Sequence, residues 1–223
     1  MAPALLSRPT ESAIEVVDLQ LLGLTAIEKK GNDLEAGAAA TLESLLQSGE
    51  CPQPLKNALK LEAPLNIRNA ATLAGTIVSG DGRSPLVTML LALDAKIETA
   101  MIKDGAVSYK TASLGENLLA KHGGLITRIL IPLNVKSAFE FVSRTPADKP
   151  LVCAAMSQWG SGRTRLVLGG YGAVPVLAMD GTEADGYEVA AQNAYHEAAD
   201  EWASADYRMN TAAVLAGRCF KNL

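Results

Sequence analysis

Aromatic residues make up only 4% of this 223-residue chain, histidine occurs twice, and cysteine three times. Each scarcity closes off a class of function. So few aromatic rings leave little to build base-stacking platforms or aromatic sugar clamps. The cysteines, Cys51, Cys153 and Cys219, are odd in number, far apart and without a CxxC pair. That pattern excludes a disulfide framework, and within this chain an iron–sulfur cluster or a four-cysteine zinc site. His122 and His196 have no metal-ligand spacing and no nucleophile beside them; the first is expected in a loop and the second on a solvated helix face. The net charge is -4, with no basic stripe, so nucleic acid is not an expected partner. The longest apolar run, Leu86 to Leu93, is broken by Thr88. It falls far short of the ~20 residues of a membrane span. Met1 to Pro9 has no basic region leading into an apolar stretch, so no export signal is expected there. The expectation is a soluble, cytoplasmic protein with no membrane partner.

What is present is a chain that can fold. Hydrophobic residues reach 48% and charged ones 20%, enough for a core of Ala, Leu, Val and Ile and too balanced for disorder. Thr25 to Ala38 reads as a hairpin turning at Gly31-Asn32-Asp33. Thr41 reads as the N-cap of a helix with Leu42, Leu45 and Leu46 on one face, and a second short helix carries Leu55, Ala58 and Leu59. Ala95 to Met101 and Ala106 to Lys110 flank a turn at Lys103-Asp104-Gly105. Strands are expected over Leu125 to Leu133, Phe139 to Val142, Leu151 to Gln158 and Thr164 to Leu168. Helices are expected over Ala184 to Ala199 and from Ser204 to the end. Sheets antiparallel or mixed, with helices grouped at the end, give an α+β class. The texture changes near residue 135, which suggests two units, 1–135 and 136–223.

Several familiar motifs are missing. Gly169-Gly170-Tyr171-Gly172 lacks GxGxxG spacing, and Pro175 stands where a nucleotide-binding helix would run. There is no P-loop. Ser79 and Asp81 have no evident base, and there is no GxSxG elbow, so a hydrolase is not indicated.

One stretch stands out, Ile67-Arg68-Asn69-Ala70-Ala71-Thr72-Leu73-Ala74-Gly75-Thr76-Ile77. Its residue types suggest a tight loop with exposed backbone N–H groups that an anion can approach closely. Thr72 and Thr76 add hydroxyls, and Asp81 can accept from a ligand hydroxyl. The combination suits a diphosphate with a sugar-like arm.

The same stretch resembles the I-R-N-x-A-T-[IL]-G-G-N signature of the FAD-binding medium subunits of molybdenum hydroxylases, the carbon monoxide dehydrogenase and xanthine dehydrogenase type. Further matches are Asp18-Leu19, taken as part of an early strand, Leu34 to Thr41, and Gly80-Asp81. Leu90-Leu91-Ala92-Leu93-Asp94-Ala95, Leu125 to Pro132, Ser143-Arg144 and Ala203 to Arg208 extend the resemblance over about residues 10 to 220. It implies a flavin-binding (PCMH-like) mixed-sheet domain followed by a small α+β domain of antiparallel strands and helices. It also implies FAD as cofactor, with iron–sulfur and molybdenum subunits as partners. The FAD contacts would come from Thr72, Leu73, Ala74, Gly75, Thr76 and Asp81.

The departures from the family pattern all fall in the flavin site. No Gly-Gly-Thr loop appears before residue 30. Ala74 replaces the first glycine of the G-G-N tail, and Pro85 replaces an aspartate expected at the ribityl arm. Lys149, which in itself reads as a solvated loop residue, replaces an aromatic expected over the flavin ring. Two expectations follow: an electron-transfer subunit whose hold on FAD is weak when alone, or a flavin-free homologue acting as an interaction or assembly subunit or binding a smaller anion. Tyr207 and Arg208 are expected to pack and cap rather than touch ligand.

Overall fold

A computed structural model describes residues 18–120, 124–146, 148–182 and 185–223. Two antiparallel sheets organise them. The first has five strands in the order β1-β2-β5-β3-β4: β1 Ile27–Lys30, β2 Asp33–Gly37, β3 Lys96–Lys103, β4 Ala106–Ser113 and β5 Leu125–Pro132. The second runs β6-β7-β8-β9, with β6 Val135–Val142, β7 Val152–Trp159, β8 Thr164–Gly169 and β9 Val176–Gly181. Helices α1 Leu42–Gln47, α2 Gln53–Glu62, α3 Leu65–Arg68, α4 Leu73–Ser79, α5 Pro85–Ala92 and α6 Leu114–Ala120 precede or interrupt the first sheet's later strands. Helices α7 Tyr187–Ala194 and α8 Ala205–Lys221 close the chain. The class is α+β, as expected, and every pairing among these strands is antiparallel.

Burial explains the two sequence textures. The first sheet covers one face only, so β5 alternates: Ile129 and Ile131 are buried while Arg128 and Leu130 are partly open. The second sheet is covered on both faces. All six residues of β8 and the first six of β7 are buried, which is why both strands read as near-continuous apolar runs. Helix α5 lies between the sheets with all eight residues buried. Through it, Leu86, Met89 and Leu90 share a core with Ile97 and Ile129 of the first sheet and Cys153, Ala155 and Val167 of the second. The opposite face of the second sheet packs Ala154, Met156 and Leu166 under Tyr195, Leu215 and Cys219.

The early hairpin and the Thr41 cap stand as predicted; Thr41 Oγ1 accepts from the Ser44 N–H at 3.0 Å. Four local expectations do not. The stretch 67–77 is a loop only over 69–72: Ile67 and Arg68 end α3, and Leu73 to Ile77 open α4. Asp18-Leu19 lead into a 3-10 turn, Gln20–Leu22, rather than a strand. The helix expected over Ala184 to Ala199 is confined to Tyr187–Ala194, and His196 follows it in a turn. Strand β9 was not anticipated, because Gly172 to Pro175 looks like the end of ordered structure until β8 offers an edge to pair with. His122 lies outside the described residues.

Candidate functional site

The predicted site residues sit at the start of α4, where two threonine-capped helix ends meet. Thr41 and Thr72 face each other in an isolated antiparallel bridge. Across it the Leu42 N–H donates to the Ala71 carbonyl at 3.0 Å, and the Leu73 N–H to the Ala40 carbonyl at 2.8 Å. A helix start normally leaves its first N–H groups free for an anion. Here they are spent. Leu73 N–H goes to Ala40, Ala74 N–H goes to the Ala38 carbonyl at 3.0 Å, and Thr76 N–H goes to the Thr72 carbonyl at 2.9 Å. Gly75 N–H goes to Thr72 Oγ1 at 3.2 Å.

Two hydroxyls of α4 are engaged as well. Thr76 Oγ1 donates to the Thr72 carbonyl at 2.9 Å and Ser79 Oγ to the Gly75 carbonyl at 2.8 Å, both closing back onto their own helix. Gly75 is required by the cap: a Cβ there would lie 2.8 Å from Thr72 Oγ1. Arg68, of the same motif, is structural. Its Nε donates to Glu43 at 2.7 Å and its Nη1 to the Ala63 carbonyl at 2.8 Å, tying α3 to α1.

Asp81 lies one loop further on, exposed, with Oδ1 accepting the Arg83 backbone N–H at 2.9 Å. This loop is fastened to the second sheet. The Gly82 N–H donates to the Gly172 carbonyl at 2.9 Å, and the Gly170 N–H to the Gly82 carbonyl at 2.8 Å. A Cβ on Gly82 would collide with the Tyr171 carbonyl. The Gly169-Gly170-Tyr171-Gly172 cluster is therefore a backbone docking seam rather than a nucleotide loop. The structure brings Thr72 to Thr76 together on one helix and leaves Asp81 on the seam beyond its far end.

Lys149 is not merely solvated. Its Nζ lies 3.5 Å from Glu62 Oε1, whose side chain is only 6% exposed. The other oxygen of Glu62 accepts from Ser84 Oγ at 2.7 Å and from the Leu86 N–H at 3.0 Å. Glu62 thus anchors the start of α5, with Pro85 in its first turn and Ser84 as its N-cap. Sequence reasoning missed this carboxylate because its partners lie 22 and 24 residues away.

Arg208 is fully buried, and each of its guanidinium nitrogens is bonded. Nε donates to the Leu151 carbonyl at 3.3 Å, Nη1 to the Ala198 and Ala203 carbonyls at 2.8 and 3.0 Å, and Nη2 to both Asp200 oxygens at 2.8 and 2.9 Å. Burial pushes Asp200 up, but Arg208 and the Trp202 and Ala203 N–H donors together hold it below its usual range. The packing role expected for Arg208 is thus observed. Beside it Trp202 carries two guanidinium groups, Arg144 at 4.3 Å and Arg83 at 5.1 Å from the ring centroid. Neither Arg83 nor Trp202 was singled out from sequence, since nothing local brings residues 83, 144 and 202 together.

A second ionic cluster joins the sheets. Asp94 sits in the left-handed region with φ 54° and receives Arg163 at 2.8 Å and Arg165 at 2.6 Å. Arg163 also pairs with Asp180 at 2.7 Å, and holds Asp180 below the usual carboxylate range. The three cysteines are free and buried. Burial pushes each thiol up to about 12, so none is a nucleophile at neutral pH.

Among the described residues no group of three or more His, Cys, Asp or Glu is placed to hold a metal, and no helix is long and apolar enough to cross a membrane. A concavity of about 340 Å³ lies elsewhere, on the open face of the first sheet. Glu35, Glu98, Thr127 and Arg128 line it, and none of the predicted site residues does. The main-chain N–H groups of residues 73–76 are already bonded within the chain, so a dinucleotide diphosphate at the start of α4 would have to displace those partners.

A sequence model of the FAD binding domain in molybdopterin dehydrogenase matches residues 4–134. The Escherichia coli (strain K12) protein YgfM, itself uncharacterised, is 27% identical over 204 residues, covering 89% of this chain and 76% of YgfM. The reconstituted CO dehydrogenase from Oligotropha carboxidovorans contains a chain of similar structure, with a TM-score of 0.73 at 22% identity, covering 89% of this chain and 78% of that one. Quinoline 2-oxidoreductase from Pseudomonas putida 86 gives a TM-score of 0.71 at 20% identity, over 89% of this chain and 78% of that one. At such identities the structural likeness speaks for the fold.

Proposed function

The chain belongs to the family of the FAD binding domain in molybdopterin dehydrogenase, and from that premise we propose that it serves as a subunit of a molybdenum hydroxylase-type oxidoreductase while holding FAD weakly or not at all by itself. Its partners on this reading are the iron–sulfur and molybdenum subunits of such a complex. Residues 1–135 would form the flavin-type unit and 136–223 the C-terminal unit.

The observation that supports this best is the spent donor set at α4. The N–H groups of Leu73, Ala74, Gly75 and Thr76 are all bonded within the chain. A diphosphate would have to displace those partners, and each buried carbonyl left behind would cost about 1–3 kcal/mol. The Lys149–Glu62 pair adds to this by placing a cation where the family pattern has an aromatic ring. Asp81 keeps an exposed carboxylate and is the predicted residue best placed to accept a ligand hydroxyl.

The experiment is direct. Protein purified without refolding is scanned for flavin absorbance and then titrated with FAD by calorimetry. The reading expects a colourless preparation and a dissociation constant no tighter than micromolar. A yellow preparation with stoichiometric FAD overturns it and leaves the electron-transfer flavoprotein as the function, which the family match over 4–134 favours. Affinity capture from its own host separates a complex subunit, which brings down iron–sulfur and molybdenum proteins, from a free-standing anion-binding protein, which does not.

A further inference from the structure

We propose that Arg83 and Arg144, set on the indole of Trp202, form a binding site for a phosphate group. Arg83 is the cation of this region that lacks a counter-charge. Its Nε is buried with no hydrogen-bond partner, and Nη2 has only a long contact, 3.5 Å, to the Lys149 carbonyl. No carboxylate lies within ion-pair distance of it among the described residues. Asp81, two residues away, is turned instead onto the Arg83 main-chain N–H at 2.9 Å.

The neighbouring cations are accounted for. Arg208 is matched by Asp200 at 2.8 Å and Lys149 by Glu62 at 3.5 Å. Arg165 also has an unbonded Nε, but its Nη1 meets Asp94 at 2.6 Å. Arg144 has a loose pair with Asp148 at 3.6 Å, in which both side chains are partly exposed.

A partly buried guanidinium without an anion is costly, because folding has removed part of its water and returned only the Trp202 ring face and one long carbonyl contact. Guanidinium groups match phosphate oxygens by shape and by charge-assisted hydrogen bonds, and a phosphate near neutral pH carries enough charge for two of them. The ring of Trp202 contacts both groups and itself remains 39% exposed. The Gly82–Gly172 and Gly170–Gly82 bonds fix the backbone of the loop that presents Arg83. None of this depends on whether FAD binds at α4.

The test uses Trp202 as reporter. The chain has two tryptophans, so Trp159→Phe leaves the Trp202 indole alone. Inorganic phosphate is titrated into the full-length variant, with chloride at matched ionic strength as control. A saturable fluorescence change with phosphate and none with chloride is expected. Arg83→Met should weaken binding about tenfold or more, and Arg144→Met should weaken it less. An AMP titration separates free phosphate from a phosphorylated ligand: tighter binding than inorganic phosphate points to the latter, and equal binding to the anion itself. Identical responses to phosphate and chloride, or full binding by Arg83→Met, overturn the proposal. Circular dichroism checks the fold of both variants. If Arg83→Met does not fold, the phosphate–chloride comparison and Arg144→Met decide.

Discussion

Arg208 Nη2 bridges the two carboxylate oxygens of Asp200 at 2.8 and 2.9 Å from the first turn of α8, where Arg208 has no solvent exposure. The same carboxylate accepts the main-chain N–H of Trp202 at 2.8 Å and of Ala203 at 3.1 Å. One ion pair therefore shapes the turn into α8, and with it the position of the Trp202 ring.

Breaking that pair from one side should be severe. Asp200→Asn leaves a buried guanidinium without its charge partner, and a loss of about 3–5 kcal/mol is expected. Urea unfolding followed by circular dichroism measures it. Asp148→Asn, at a half-exposed pair, should cost less than about 1 kcal/mol in the same assay.

Acid should weaken the fold through Asp180 and Asp200. Both are depressed in the folded state, Asp180 chiefly by its hydrogen bond to Arg163. In the unfolded chain aspartate titrates near about 3.9. Their contribution is therefore complete above that pH and is lost as pH falls through their lower folded values. Melting temperatures should hold steady from neutral pH down to about 5 and drop below about 4. Asp180→Asn should flatten part of that drop.

Glu62 and Lys149 make an unequal pair. Glu62→Ala strands the Leu86 N–H and the Ser84 hydroxyl inside the protein, at a cost of about 1–3 kcal/mol. Lys149→Ala removes a side chain that is 40% exposed and should cost less than about 1 kcal/mol. Thermal denaturation of the two variants checks the order.

The thiols of Cys51, Cys153 and Cys219 should resist modification. With each pushed up to about 12 by burial, no adduct is expected after brief iodoacetamide treatment at about pH 8. Full labelling in denaturant, read by mass spectrometry, completes the comparison.

Much of the secondary structure was legible because its causes are local. Thr41 and Ser204 cap helices wherever their side chains can reach an N–H three residues on, and Asp104-Gly105 turns a hairpin in any context. The stretch 67–77 misled for the same reason. Small residues permit a tight anion-binding loop, and they equally permit a short capped helix. What separated the two was the carbonyls of Ala38 and Ala40, more than 30 residues earlier in the chain, which took the N–H groups of Ala74 and Leu73. Strand β9 escaped notice because an edge strand is defined by the neighbour it pairs with.

Composition and motif spacing alone determined the α+β class, and they carried the family resemblance. Those properties depend on residue types and short-range periodicity, which survive without knowledge of the fold. Tertiary structure alone decided which polar groups remain available. It bonded the main-chain N–H groups of Leu73 to Thr76 inward, gave Lys149 to a buried carboxylate, and brought Arg83 and Arg144 onto one indole without a matching charge for Arg83. Hydrogen-bond satisfaction is settled by neighbours that folding brings together across long stretches of chain, and so it cannot be read from a motif.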